Sequence, residues 1–285
     1  MLGRALLSVE GLSFTYEGFT HPAVRNINLQ IESRDFIAIT GPSGAGKTTL
    51  CRALVGLIPN FYMGKMEGTV KVCGLNTRKQ SVSRLTQKIG LVFQNPDTQI
   101  LASSVEREIK LGPTNLGLPE DEVSNRVEEA IEFFDLNPIR KKHPHKLSGG
   151  QKQKVAIASI VAMRPEVLVL DEPAANLSPM TTVNLYSLLQ ELGEKLELTI
   201  IIVEHKMLDC LIPLLDRFIV MNEGFTVFDV HPYDLVDFLD DIVKFGVRLP
   251  QVTKVAHLLA KRGVNIERSP ITIDEAYSTF KRLLK

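Results

Sequence analysis

"FIAITGPSGAGKTTL", residues 36 to 50, is the stretch on which the reading of this chain turns. An apolar run ends at Thr40, a glycine-rich turn follows, and a helix is expected from about Lys47 to Leu57. Strand, tight loop and helix in this order turn successive backbone N–H groups toward one concavity, which suits an anion. The residues fit G-x-x-x-x-G-K-[ST] from Gly41 onward. Gly41, Gly44 and Gly46 permit the tight curvature, with Pro42, Ser43 and Ala45 between them. Lys47 is placed to reach the β- and γ-phosphates of a nucleotide and the Thr48 hydroxyl to bind Mg²⁺, with Thr49 next in the same turn. A plain glycine-rich turn leaves Lys47 unexplained, because a cation at a helix start opposes the macrodipole unless an anion offsets it.

Further along, "KLSGGQKQKVA", residues 146 to 156, prepares a second helix start of the same kind, with Ser148, Gly149, Gly150 and Gln151 at its tip. Lys152 and Lys154 fall in the first turn, again against the dipole, so an anion is expected beside them. One helix terminus offers only about half a positive charge, so neither start alone can manage a triphosphate. The second reads as a completing piece.

Between and beyond these starts lie candidate catalytic groups. "VLVLDEP", residues 167 to 173, sets two carboxylates where a buried strand emerges. Asp171 is the candidate Mg²⁺ partner and Glu172 the candidate water-positioning base. A free Glu, with a pKa of about 4.3, is a weak base at neutral pH. Phosphoryl transfer through a loose transition state asks for a positioned water more than for a strong base. Gln94 follows "IGLVF" and precedes "NPDTQ"; it caps a strand, or touches Mg²⁺ or the attacking water. Pro96 biases Asn95 toward an extended conformation, which makes a movable joint there. His205 follows "TIIIVE", within reach of a γ-phosphate. Tyr16, in "LSFTY", reads on its own as a core aromatic, and beside a P-loop as a platform for adenine.

The chain has 285 residues, 44% hydrophobic and 23% charged, enough to bury a sizeable core. Lys plus Arg and Asp plus Glu both number 33, which argues against a chain that coats nucleic acid or anionic lipid through its overall field. Cys51, Cys73 and Cys210 are odd in number and far apart, so neither a disulfide framework nor a zinc site is expected. "MLGRALLSVEGL" has no secretory pattern. The longest nearly apolar stretch, "VAIASIVAM" at 155 to 163, is less than half of the roughly 20 residues that a spanning helix requires.

Strands are expected at "LLSVEGLSF", "INLQI", "FIAIT", "GTVKVCG" and "IGLVF", followed by a mainly helical section from about 95 to 165. "VLVL" and "TIIIV", joined by a helix over 180–195, make a βαβ crossover with buried parallel strands. "RFIVM" and "FTVFDV" form a hairpin around "NEG". Beyond about residue 230, Val252, Val255, Ala256 and Leu259, and then Ile273, Ala276, Tyr277 and Phe280, recur at helical spacing. These mark a small helical extension joined through "RLPQ".

Taken together, these motifs in this order resemble the ATP-binding cassette (ABC) ATPases, over about residues 5 to 230. "LSGGQ" separates that family from other P-loop proteins. The resemblance implies an α/β P-loop fold with a mixed sheet core, an antiparallel β subdomain and a helical subdomain. On that pattern residues 1–230 are the cassette, with its helical part at about 95–165, and 231–285 a C-terminal helical extension. It implies ATP and Mg²⁺ as cofactors, and two chains packed head to tail so that one chain's signature closes over the ATP held by the other's P-loop. The second helix start is then meant for the neighbour's nucleotide.

"FQNPDTQI" and the C-terminal "LPQVTKVAHLL" and "ITIDEA" resemble the energy-coupling factor (ECF) branch of importers. This implies a peripheral protein on the cytoplasmic face of a prokaryotic cell membrane, energising uptake of a vitamin or of nickel or cobalt ions. Its expected partners are a second ATPase chain, a transmembrane coupling protein received by "SSVEREIKL", and a substrate-capturing membrane protein. No nucleic acid is expected. Leu177, Ser178 and Pro179 stand where the family usually reads Leu-Asp-Pro, so the second ATPase is expected to be a non-identical paralogue. A soluble ABC ATPase without a transport role, such as an iron–sulfur assembly scaffold, would share every core motif.

Overall fold

The computed structural model describes residues 5–283. Ten strands run in chain order as β1 (Leu7–Tyr16), β2 (Val24–Ile31), β3 (Phe36–Thr40), β4 (Gly64–Val72), β5 (Leu75–Asn76), β6 (Ile89–Val92), β7 (Val167–Asp171), β8 (Thr199–Val203), β9 (Arg217–Asn222) and β10 (Phe225–Val230). The helices are α1 (Lys47–Leu54), α2 (Val82–Leu85), α3 (Val105–Asn115), α4 (Glu120–Phe133), α5 (Gly149–Val161), α6 (Pro179–Leu196), α7 (Leu208–Leu211), α8 (Leu239–Lys244), α9 (Gln251–Lys261) and α10 (Ile273–Leu283).

The central sheet has the order β10-β9-β3-β8-β7-β6, parallel except at β10. Every residue of β3, β7 and β8 is buried, which is why each reads as an unbroken apolar run rather than an alternation. Their side chains alternate between two cores. Ala38, Leu168, Leu170, Ile200 and Ile202 face α3 to α6. Ile37, Ile39, Val167, Val169, Ile201 and Val203 face α1 and the second sheet. The site's loops leave from the C-terminal ends of these strands, so the doubly buried sheet is the platform that holds them. Truncating a fully buried leucine such as Leu168 to alanine costs about 2 to 5 kcal/mol.

The second sheet is antiparallel, in the order β2-β1-β4-β5. In β1 the buried set shifts from Leu7 and Val9 to Leu12 and Phe14, one residue out of phase. A register break there, with Gly11 at φ +62°, absorbs the extra residue and keeps the apolar face inward. Helix starts are set locally. Ser104 accepts the Arg107 N–H, Glu120, Asp121 and Glu122 occupy the first turn of α4, and Ser178 caps α6 ahead of Pro179.

Two boundaries differ from expectation. Helix α1 stops at Leu54 rather than Leu57, because Gly56 takes φ +73° and its N–H turns back to Ala53 O. Strand β4 starts at Gly64, earlier than "GTVKVCG", since the polar "GKME" pairs with Phe14–Tyr16 and Ser13. The first part of the C-terminal segment, with Ile271, packs into the main core. Leu235, Leu239, Ile242, Val247, Leu249 and Ile271 share the cluster that contains β7 and β8, and "RLPQ" seats Leu249 and Pro250 in the interior.

Candidate functional site

The P-loop follows β3 as predicted, and its glycines are needed where they stand. Gly41 has φ +140°, and a Cβ there would lie 2.0 Å from Met221 O. Gly46 has φ +97°, and a Cβ would lie 2.4 Å from Ala23 O. Lys47 is 6% exposed, and its Nζ donates to Gly41 O and Pro42 O, both at 2.9 Å. The loop therefore curls around its own lysine. Burial holds the ammonium below its ordinary pKa, against the opposing pull of Glu172 and Asp171.

A cleft of about 540 Å³ is lined by Ser43 to Thr49 together with Ala23, Gln94, Glu172 and His205. Gln94 Nε2 donates to Glu172 Oε2 at 2.8 Å, and His205 Nδ1 lies 3.2 Å from Glu172 Oε1. Three loops from three strand ends thus meet on one carboxylate. Glu172 itself has φ +49°, a left-handed conformation that few non-glycine residues adopt, and its side chain is 18% exposed. Asp171 lies just below, with Oδ1 buried and without a hydrogen-bond partner. Burial raises its pKa, with Thr48, Arg52 and Lys47 acting the other way. An orphaned carboxylate oxygen beside a threonine hydroxyl can hold a hard cation whose other ligands are phosphate and water oxygens. No cluster of three His, Cys, Asp or Glu that could hold a metal exists among the described residues.

The second helix start is not in this cleft. Ser148, Gly150 and Gln151 line a separate concavity with Leu136, Leu177 and Thr181. The tip is closed by a capping box: Ser148 Oγ accepts the Gln151 N–H at 3.3 Å, and Gln151 Oε1 accepts the Ser148 N–H at 3.0 Å. Gly149 has room for a Cβ, with Asn176 O no closer than 3.6 Å. At Gly150 a Cβ would meet Thr181 at 2.7 Å, since α5 and α6 begin side by side. Lys152 and Lys154, where an anion is expected, have partners within the chain. Lys152 Nζ pairs with Asp97 at 2.6 Å, and Lys154 Nζ donates to Phe134 O at 3.4 Å. The chain supplies its own acceptors for both.

Tyr16 lies outside the phosphate cleft, on a shallow neighbouring one with Phe19, Met63 and Lys65. Its hydroxyl bonds Thr49 Oγ1 at 3.1 Å and accepts from Arg52 at 3.0 Å. Its ring meets Phe14, Phe19 and Tyr62 edge to face, so it joins a half-exposed aromatic cluster at the rim of the P-loop helix. Ser178 Oγ accepts the Thr181 N–H at 3.4 Å. A serine thus does the capping that an aspartate would do there, and only the negative charge is lost.

Two contributors were not foreseen. Ala23 closes the cleft opposite Gly46 through its carbonyl, and its sequence neighbourhood carries no signal for that. Glu204 is 0% exposed at the end of β8 and binds the turn that carries His205. A carboxylate closing the apolar run "TIIIV" was the available clue.

A model of the ABC transporter family matches residues 24–175, more than half of the chain. The chain belongs to the ABC transporter family. This cassette is an ABC ATPase, the ATP-binding subunit of such a transporter. It is 38% identical over 262 residues to the energy-coupling factor transporter ATP-binding protein EcfA1 of Clostridium novyi, covering 92% of this chain and 91% of that protein. The solved structure of cbiO1 from Clostridium perfringens, described as part of the ABC transporter complex cbiONQ, superposes with a TM-score of 0.75 at 34% identity, covering 90% of this chain and 99% of that one. The ATP-binding cassette MJ0796, a dimer in a post-hydrolysis state bound to ADP and Pi, gives a TM-score of 0.68 at 26% identity, covering 79% and 98%. Relatives differ in length: the chain spans 42% of one from Methanosarcina acetivorans but 96% of one from Pyrococcus horikoshii. No helix among the described residues is long and apolar enough to cross a membrane.

Proposed function

We propose that this cassette is one of two ATPase chains of an energy-coupling factor importer, acting from the cytoplasmic face of a prokaryotic membrane. One observation carries the proposal: within a chain, Lys47, Glu172 and His205 line one concavity while Ser148, Gly150 and Gln151 line another. Each is half of a site, and a second chain placed head to tail supplies the missing half. The dimeric MJ0796 cassette supports this reading, as do the likenesses to EcfA1 and to cbiO1 of the cbiONQ complex.

In the closed site the P-loop N–H groups and Lys47 hold the β- and γ-phosphates. Glu172 orients the attacking water, Gln94 holds Glu172 on one side, and His205 touches the γ-phosphate on the other. Tyr16 and its aromatic neighbours offer the adenine a face. Thr48 and Asp171, with Gln94 near, would hold Mg²⁺, which supplies charge neutralisation on the phosphates. ATP binding then favours the closed pair and hydrolysis releases it, since the nucleotide bonds both chains only when they are together.

Leu235 to Leu249 and Ile271 of the extension pack onto the cassette core. Helix α3 and the joint at Gln94 pass the motion to a transmembrane coupling protein. A separate membrane protein captures the substrate, a vitamin or a nickel or cobalt ion, which the ATPase never touches. Ser178 supports a non-identical ATPase partner, because it retains the cap but not the charge at the dimer-facing turn. The test is to purify this chain alone, then with its paralogue and coupling protein. The proposal expects transporter-level turnover only in the full assembly. Full turnover by an ATP-driven homodimer would remove the unequal pairing, and failure to co-purify with any membrane protein would favour a soluble, non-transport ATPase.

A further inference from the structure

We propose that Glu204 is a positioning residue for hydrolysis, its buried carboxylate fixing the turn that carries His205. The inference rests on the placement of His205 at the nucleotide given above. Glu204 directly follows β8, and none of its surface is exposed. Oε1 accepts two consecutive backbone N–H groups, from His205 at 2.8 Å and Lys206 at 3.0 Å. Oε2 accepts the Tyr186 hydroxyl at 3.1 Å, and Tyr186 is itself fully buried on α6. The Glu204 N–H donates to Ile39 O at 3.1 Å, which pins the residue to the strand that feeds the P-loop.

Among the described residues, the one basic group within 4.0 Å of this carboxylate is His205, its Nδ1 3.9 Å from Oε1. Burying a carboxylate without a firm cationic partner costs several kcal/mol unless donors replace its water. Three donors do so here. An apolar residue would end β8 with no desolvation cost, so the charge is retained for what its acceptors hold. They hold the chain at 204–206, and Met207, at φ +51°, completes the turn. The His205 ring is left 39% exposed in the cleft, 3.2 Å from Glu172. Through Tyr186 the same carboxylate fixes α6, which begins just after the turn leaving Glu172. One buried group thus sets both residues against each other, and a displacement of about 1 Å in such an arrangement can cost on the order of 100-fold in rate.

The test compares the full chain with Glu204→Ala, Glu204→Gln, Tyr186→Phe and His205→Ala, each assembled with its native partners, for kcat and KM with MgATP. Backbone amide proton resonances of His205 and Lys206 provide an independent readout. Glu204→Ala should lower kcat by roughly 10- to 100-fold with KM for ATP nearly unchanged, and shift both amides upfield as their acceptor is lost. Glu204→Gln keeps an oxygen for both amides and an N–H₂ for the Tyr186 oxygen, and should stay within about threefold of the parent. Tyr186→Phe should lower kcat by about threefold, and it decides the matter if Glu204→Ala does not fold. Unchanged kcat in Glu204→Ala, or in Tyr186→Phe where the alanine variant does not fold, overturns the proposal. So does a loss confined to KM, or an equal loss with Gln and Ala. Full activity in His205→Ala overturns the underlying placement of His205 instead; an inactive His205→Ala beside a fully active Glu204→Ala sinks only the role of Glu204.

Discussion

Asp171→Asn offers a perturbation whose two effects have opposite sign. The Asp171 residue is 8% exposed, its Oδ1 has no partner, and Glu172 beside it adds repulsion to the burial that already raises its pKa. An unsatisfied buried acceptor costs about 1 to 3 kcal/mol, more when charged. Asparagine keeps the shape and the orphaned oxygen but removes the charge, so the nucleotide-free variant should be more stable by about 1 kcal/mol. That corresponds to a rise of about 2 °C or slightly less in Tm for a chain of this size. With MgATP the order reverses. Ligand at about 100 times its Kd stabilises the parent by about 2.7 kcal/mol, and the variant should lose most of the Mg²⁺-dependent part of that gain. Differential scanning fluorimetry with no ligand, ATP plus EDTA, and MgATP reads all of these changes. A nucleotide-free variant less stable than the parent, or equal stabilisation of both by MgATP, would refute the placement of the cation at Asp171.

Gly46→Ala should abolish ATP binding and lower stability by about 1 to 3 kcal/mol, because φ +97° and a Cβ 2.4 Å from Ala23 O cannot both be accommodated; fluorescent-nucleotide titration and thermal melts check this. Lys152→Gln breaks a partly exposed pair with Asp97 and should cost less than about 1 kcal/mol, with ATP affinity unchanged by calorimetry. Burial acts to raise the Glu275 pKa, but the Tyr233 hydroxyl and the Ile271 and Thr272 N–H groups outweigh it, and the carboxyl sits below its ordinary value. Its stabilising effect is therefore present above about pH 4.3 and is lost as pH falls through the lower folded value. Hydrogen exchange over residues 269–283 should quicken in that acid window in the parent, and Glu275→Gln should remove the pH dependence.

What could be read from the chain follows the physics of each segment. Strands β3, β7 and β8 are buried on both faces, so their apolar runs announce them, and the βαβ crossover through α6 follows from their spacing. The P-loop was legible because its glycines answer to steric demands visible in the pattern itself. The first half of β4 was not, since "GKME" is held by pairing with a strand about fifty residues away rather than by its own periodicity. The packing of Leu249 and Ile271 into the main core was hidden for a related reason: they are core residues only because distant elements surround them. Lys152 has a partner that a dipole argument does not supply, since Asp97, 55 residues earlier in the chain, pairs with it. The gathering of Gln94, Glu172 and His205 on one carboxylate could be expected from three strand ends in one sheet, but the bonds between them could not.

The central claim is that ATP is held between two polypeptides, and the mass of the nucleotide-bound particle tests it most directly. Glu172→Gln should bind MgATP and hydrolyse it poorly, so it accumulates whatever ATP assembles. Mass photometry of this variant in MgATP, alone and together with its membrane companions, should show particles that contain two ATPase chains and that separate when ATP is withdrawn. Nucleotide-bound particles with a single ATPase chain under both conditions would contradict the account.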